Sequence, residues 1–158
     1  MKIRFNTLWR VPIFCTVASW VSFYLTVYLG RYFFVVKTVG ADGVTEVSAD
    51  PLRSAIFNGV LFLTVLLLGG LWAFQSMTKV EIAVSSAILS AIYLALILMQ
   101  LYLSNIPVSL SVKLAAFQNW SGILSSFLLR LTNHLNFSLL LSTLAPFLFV
   151  PFGKKSVR

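Results

Sequence analysis

The fold of this chain is decided by residues 82–103, which read IAVSSAILSAIYLALILMQLYL. The stretch contains no charged residue, and a helix of this length crosses the roughly 30 Å of hydrocarbon in a bilayer. Thr78 and Glu81, just before it, have the spacing of a capping box, which marks a helix start. Pro107 follows its end and disfavours helix at the preceding residue. The segment therefore predicts a transmembrane helix.

Three further apolar runs, at residues 11–29, 54–74 and 135–152, have a similar length. Lipid offers no hydrogen-bond partner to the backbone, so each run must satisfy its own N–H and C=O groups as a helix. Asp50 before the second run predicts an N-cap, and Pro146 predicts a kink in the last. We predict an all-α membrane protein, a four-transmembrane-helix bundle in which the whole chain forms one integral membrane domain.

The composition excludes other classes of protein. Of 158 residues, 59% are hydrophobic and 10% are charged, whereas soluble domains carry about 25% charged residues. Because the mean hydropathy is +0.93, we assign the net charge of +8 to contact with the lipid bilayer and expect no nucleic acid partner. Cys15 is the single cysteine, so no intrachain disulfide forms, and we interpret it as a small packing residue.

The distribution of basic residues predicts the orientation. Four spans put both tails on one side, together with the short loop between the second and third spans. Seven basic residues lie there, in about 23 residues of tail and loop, and five lie on the other side, in about 55 residues. By the positive-inside rule, the chain is a multi-pass protein of the cell membrane with both termini cytoplasmic.

The first outer connection, residues 30–53, has two interpretations. Beta-branched residues on both sides of Asp42 and Gly43 favour a short β-hairpin. Alternatively, the first helix continues through Val36 and the remaining residues form a loop. An isolated hairpin is marginally stable in water, so it would need the end of the bundle or a partner to rest on.

The second outer connection, residues 104–134, has apolar residues near helical spacing at Leu110, Leu114, Phe117 and Trp120. Polar residues fall between them. The pattern predicts an amphipathic helix that lies in the membrane interface. Tryptophan is enriched at the interface, so we expect Trp120 at headgroup level.

The most polar stretch that borders a span contains Arg130, Asn133 and His134. Arg130 and His134 are four residues apart and would share one helix face. We take the three residues as candidate contacts for an anionic lipid headgroup or for an acidic group on a partner. The alternative is a polar collar where the chain leaves the bilayer.

Small residues recur at every fourth position on two predicted helices, and such ridges allow the close backbone approach that drives helix association in lipid. The ridges are Ala18, Ser22, Thr26 and Gly30 on the first helix and Ala83, Ala87, Ala91 and Ala95 on the third. One interpretation is packing within this chain. The other is that one ridge faces a second protein.

The sequence contains no recognisable catalytic motif, and no carboxylate lies within a predicted span. Ion-coupled transporters usually need ionisable groups at membrane depth, and metal-dependent enzymes need clustered ligands. We therefore expect no catalytic, cofactor or metal site. The hypothesis is a non-catalytic accessory, assembly or regulatory subunit of a membrane complex, bound to a membrane-protein partner or forming a homo-oligomer. The alternatives are a small oligomeric transporter or channel and a lipid-modifying enzyme that uses His134.

Overall fold

The computed structural model of the protein describes residues 5–39, 45–102 and 107–154, and it is mostly helical. The α-helices are α1 (Phe5–Leu8), α2 (Arg10–Phe33), α3 (Pro51–Leu68), α4 (Lys79–Tyr102), α5 (Val108–Phe117), α6 (Asn119–Thr132) and α7 (Leu135–Ser142). A π-helix, Gly69–Ala73, extends α3, and a 3-10 helix, Ala145–Phe152, follows α7. Within the described residues, four stretches are long and apolar enough to cross a membrane: α2, α3 with the π-helix, α4, and α7 with the 3-10 helix.

The connection between α2 and α3 combines both interpretations of the sequence. Helix α2 continues beyond residue 29 and ends at Phe33. Two antiparallel strands then follow, β1 (Val35–Val39) and β2 (Thr45–Ala49), with Val35 opposite Ala49. The predicted turn at Asp42 and Gly43 lies outside the described residues. We call this end of the bundle the hairpin end.

The two predicted helix starts are confirmed by their hydrogen bonds. Asp50 Oδ1 accepts from the backbone N–H groups of Leu52 at 2.9 Å and Arg53 at 3.1 Å, so α3 begins at Pro51. In the capping box, the Thr78 N–H donates to Glu81 Oε2 at 2.9 Å, and the Glu81 N–H donates to Thr78 Oγ1 at 3.3 Å. Each cap satisfies N–H groups that have no partner within the helix.

The opposite end of the bundle, which we call the Arg10 end, joins three parts of the chain. The Arg10 guanidinium donates to Ser76 Oγ at 2.9 Å, in the short connection before α4. The Lys154 N–H donates to the Met77 carbonyl at 3.0 Å, and the Lys79 N–H donates to the Lys154 carbonyl at 3.1 Å. Gly153 makes this approach feasible, because a Cβ there would lie 2.8 Å from backbone atoms of Lys79.

The fourth apolar stretch is broken rather than simply kinked. Helix α7 ends at Ser142, a short turn follows, and Pro146 lies in the 3-10 helix that completes the stretch. Pro146 has no N–H group, and the Phe147 N–H donates to the Leu144 carbonyl, so the Thr143 carbonyl has no helix partner. Two serines of α4 donate to carbonyls of this region. Ser90 Oγ donates to the Thr143 carbonyl at 2.7 Å, and Ser86 Oγ donates to the Pro146 carbonyl at 2.9 Å. Two carbonyls of this irregular backbone thus accept from side chains of the protein, as an irregular backbone within a bilayer would require.

Trp120 is at the centre of the core, and its predicted place at headgroup level is wrong. Its side chain is fully buried and stacks between Phe62 and Phe149, with ring centroids 5.0 and 5.1 Å away. Phe74 packs edge-on against Phe149. Gly69 permits this packing, because a Cβ at that position would overlap the Phe149 ring.

The segment that contains α5 and α6 enters the bundle and returns, so the predicted interfacial helix is also wrong. The Phe117 ring packs 5.7 Å from the Tyr93 ring, about two and a half turns before the end of α4. The Trp120 N–H donates at 3.3 Å to Ser19 Oγ, near the middle of α2. The Arg130 guanidinium then donates to the carbonyl of Pro51, at the hairpin end. Between α5 and α6, Gln118 breaks the helix with φ −101° and ψ 7°.

Candidate functional site

The polar stretch at residues 130–134 forms the turn between α6 and α7. Helix α6 ends at Thr132, and Asn133 adopts a left-handed conformation with φ 55°. Arg130 and His134 therefore do not share a helix face, which corrects the prediction. Asparagine tolerates the left-handed conformation at helix ends. Asn133 is therefore the residue from which this helix end could have been predicted. The role of Arg130, Asn133 and His134 as headgroup or partner contacts stays a prediction.

Hydroxyl groups beside His134 stabilise this turn. Thr132 Oγ1 accepts from the His134 backbone N–H at 3.3 Å and lies 2.9 Å from Ser138 Oγ. Ser138 Oγ is also 2.9 Å from the His134 carbonyl, to which it donates. His134 itself is exposed. The two hydroxyls therefore act in closing the turn between the helices.

The small-residue ridge of α2 lies inside the bundle. Ser22 and Gly30 are buried, and Ala18 and Thr26 are partly buried. Their inward-facing neighbours Cys15 and Ser19 are fully buried, and Ser19 receives the hydrogen bond from the bend at Trp120. Small side chains on this face leave room for α6, which packs against α2. Packing within the chain is therefore the use of this ridge.

Several buried polar atoms of the described residues have no hydrogen-bond partner, and those of Gln118 and Asn119 lie at the bend between α5 and α6. In the described part of the chain, five such atoms are found: Ser22 Oγ, Thr26 Oγ1, Tyr93 Oη, Gln118 Nε2 and Asn119 Nδ2. A buried polar group without a partner costs about 1–3 kcal/mol. The side-chain amides of Gln118 and Asn119 place polar groups of this kind at the bend, within an otherwise apolar interior.

The small-residue ridge of α4 faces away from the bundle. Ala87, Ala91 and Ala95 are exposed, and Ala83 is partly exposed. The buried face of α4 instead consists of Glu81, Ile82, Ser85, Ser86, Leu89, Ser90, Tyr93 and Ile97. Packing within the chain therefore does not use the α4 ridge. The alternative, that it faces a second protein, stays a prediction and makes this ridge the candidate docking site.

The hydrogen bonds from Ser85, Ser86 and Ser90 to other segments were not predicted from the sequence. The Ser85 hydroxyl donates to the Leu8 carbonyl, and the other two donate to carbonyls around the 3-10 helix. The signal that could have found them is Pro146, since a proline in an apolar run frees backbone carbonyls that need donors. Serines on a neighbouring helix are suitable donors.

Within the described residues, no three histidine, cysteine, aspartate or glutamate residues come together as a metal-binding group. Comparison of the chain with protein-family models, with curated proteins and with solved structures finds no match. Function must therefore be inferred from the geometry of this chain, and the exposed alanine face of α4 is one feature that internal packing leaves unused.

Proposed function

We propose that this chain is a multi-pass protein of the cell membrane, with both termini cytoplasmic, that acts as a non-catalytic subunit of a membrane complex. The support for a membrane location is the length and hydropathy of the four spanning stretches. Large apolar side chains also cover their outward faces. Ile13, Val60 and Leu71 are each about 60% exposed, and apolar surface on this scale is rare in soluble monomers.

The observation that carries the subunit function is the exposed alanine ridge of α4. Ala87, Ala91 and Ala95 are exposed, and their side chains are the smallest on the outward face of α4. Lipid chains gain little from a row of small side chains, whereas a second helix gains close backbone contact and van der Waals packing. A transmembrane helix of another protein is the occupant that this surface fits.

The packing of the interior supports a subunit more than the two alternatives. A pathway through the bundle would pass its middle, where the buried ring of Trp120 stacks between Phe62 and Phe149. An enzyme that uses His134 would need an activated nucleophile nearby. Thr132 and Ser138, the hydroxyls in that turn, are instead hydrogen-bonded within it.

A small oligomeric transporter is the second candidate, because one observation favours it. The buried polar atoms of Gln118, Asn119 and Tyr93 that have no partner lie about halfway along the helices. In transporters, polar groups and interrupted helices at that depth form substrate sites. This candidate predicts solute uptake by vesicles that contain the purified protein, and loss of uptake when Gln118 is replaced by leucine.

The subunit function is tested by affinity purification from native membranes in mild detergent. Wild-type protein is expected to elute with a second membrane protein at fixed stoichiometry, and Ala91→Leu is expected to release it, because the larger side chain keeps the two helices apart. Ala115→Leu is the matched control, since it makes the same change at an exposed alanine on α5. Elution of the wild type alone as a monomer would contradict the proposal, and release by both variants would contradict the role of the ridge.

A further inference from the structure

We propose that the Arg10 end of α2 binds an anionic phospholipid, with the phosphate at Arg10 and one acyl chain on each side of the ridge formed by Ile13 and Val17. This inference rests on the membrane location in the proposed function and not on the subunit role. It concerns the end of the bundle opposite to Arg130 and His134, the residues that the sequence singled out for headgroup contact.

One apolar groove lies on each side of Ile13 and Val17, which are exposed on the outward face of α2. The first has a volume of about 400 Å³ and lies between α2 and the end of the π-helix, where Ala73 and Phe74 line it. The second has a volume of about 330 Å³ and is lined on its far side by Leu89 and Phe117. Both grooves share Ile13 and Val17, whose side chains are 61% and 57% exposed. A lipid with two acyl chains fits two grooves that share one ridge.

The grooves run from the end of the helix toward its middle. Arg10 lines the first groove and Trp9 lines the second, both at the start of α2. Val17 lies seven residues further on, which is about 10 Å along the helix axis. Phe117, beside the bend between α5 and α6, lines the deep part of the second groove. A charged rim with apolar grooves below it matches the division of a phospholipid into headgroup and chains.

The charge at the rim favours an anionic headgroup. The exposed Arg10 guanidinium donates to Ser76 Oγ at 2.9 Å. Ser76 accepts this bond, so its own O–H group remains available to donate to a phosphate oxygen. Lys79 and Lys154 meet at the same end through a backbone hydrogen bond of 3.1 Å. The nearby carboxylate of Glu81 is buried and accepts from Thr78 in the capping box.

The other end of the bundle offers a matched comparison. The Arg130 guanidinium is also exposed, but it donates to the Pro51 carbonyl at 3.2 Å. Arg130 lines neither groove. An arginine next to a lipid surface attracts anionic lipid in general. Retention of a specific lipid additionally needs grooves for the acyl chains, and Arg10 itself lines one of the two grooves.

The test is native mass spectrometry of the purified full chain, titrated with phosphatidylglycerol or phosphatidylcholine in mild detergent. Wild-type protein is expected to retain phosphatidylglycerol preferentially. Arg10→Gln should reduce this preference about tenfold, as expected for loss of a charge-assisted contact, whereas Arg10→Lys should keep most of it. Arg130→Gln is the control and should behave like the wild type. Equal retention of the two lipids, or equal loss in Arg10→Gln and Arg130→Gln, would overturn the proposal.

A second variant tests the grooves separately from the charge. Ala73→Leu fills the first groove and should weaken phosphatidylglycerol binding without altering the basic rim. Displacement of the lipid by soluble glycerol phosphate at equal concentration would show that the site recognises phosphate alone, and would also overturn the proposal. Unchanged thermal unfolding of each variant checks that the fold is kept. Since the assay needs no protein partner, its failure would leave the docking experiment on α4 unaffected.

Discussion

Helix α4 has two faces of small residues that differ by one oxygen atom per side chain. Ser86 and Ser90 face the interior and donate to carbonyls of the broken fourth stretch. Ala87 and Ala91 lie on the other face and are exposed. Both pairs have the spacing of four that allows close helix packing. Small size alone therefore does not decide which face of α4 is buried.

The serine face lies against the broken backbone of the fourth stretch and donates to it, and the alanine face does not. A regular helix satisfies its own backbone, so a neighbouring helix needs only room. The stretch from Leu135 to Phe152 is interrupted between α7 and the 3-10 helix, so it also needs donors. Serine supplies both room and a donor, whereas alanine supplies room only. The predictions that follow separate these two contributions.

The largest effect is expected for Ser90→Leu. The larger side chain would overpack the buried contact with α7 and would remove the donor to the Thr143 carbonyl, so we expect a loss of about 3 kcal/mol in the free energy of unfolding. The measurement is unfolding of the purified protein in a detergent mixture. Ala91→Leu, one position further along the chain, is the control and should unfold like the wild type when no partner is present. Equal destabilisation of the two variants would contradict the difference between the faces.

The lengths of the spanning helices and their capped starts could be predicted from the sequence, because they depend on local signals. Asp50 and the pair of Thr78 and Glu81 act within one helical turn. The hairpin was predicted only as one of two alternatives, because Tyr32 to Val36 suit either a helix end or a strand. The structure divides that stretch, with Phe33 in α2 and Val35 in β1.

The bend between α5 and α6 could not be predicted, because its causes lie far away in the sequence. Tryptophan suits both a membrane interface and a core. Trp120 is buried because Ser19 accepts from its backbone and because Phe62 and Phe149 stack against its ring. The candidate docking ridge on α4 was predicted as a ridge, but its outward direction depends on the backbone break beside Pro146.

An intermediate loss in the free energy of unfolding is expected for the double variant Ser86→Ala and Ser90→Ala. Both substitutions keep the side chains small and remove only the two donors to the Thr143 and Pro146 carbonyls. Hydrogen bonds between helices in membranes contribute about 0.6 kcal/mol on average and up to about 1.7 kcal/mol, so the double variant should lose about 1–2 kcal/mol. Ser126→Ala is the control, because this exposed serine donates within its own helix. No loss in the double variant would mean that room alone selects the serine face.

The smallest effect is expected for Ala91→Ser, which gives the outward face the chemistry of the inward one. The new hydroxyl has a nearby acceptor in the carbonyl of Ala87, one turn earlier, and serines in helices commonly bond there. We therefore expect the free energy of unfolding to change by less than about 0.5 kcal/mol. The partner captured in the purification experiment should be retained, because serine is small enough for close helix approach. If Ala91→Ser lost the partner as Ala91→Leu does, the surface would tolerate no polar group. Space for close helix approach would then not be the contribution of the alanines.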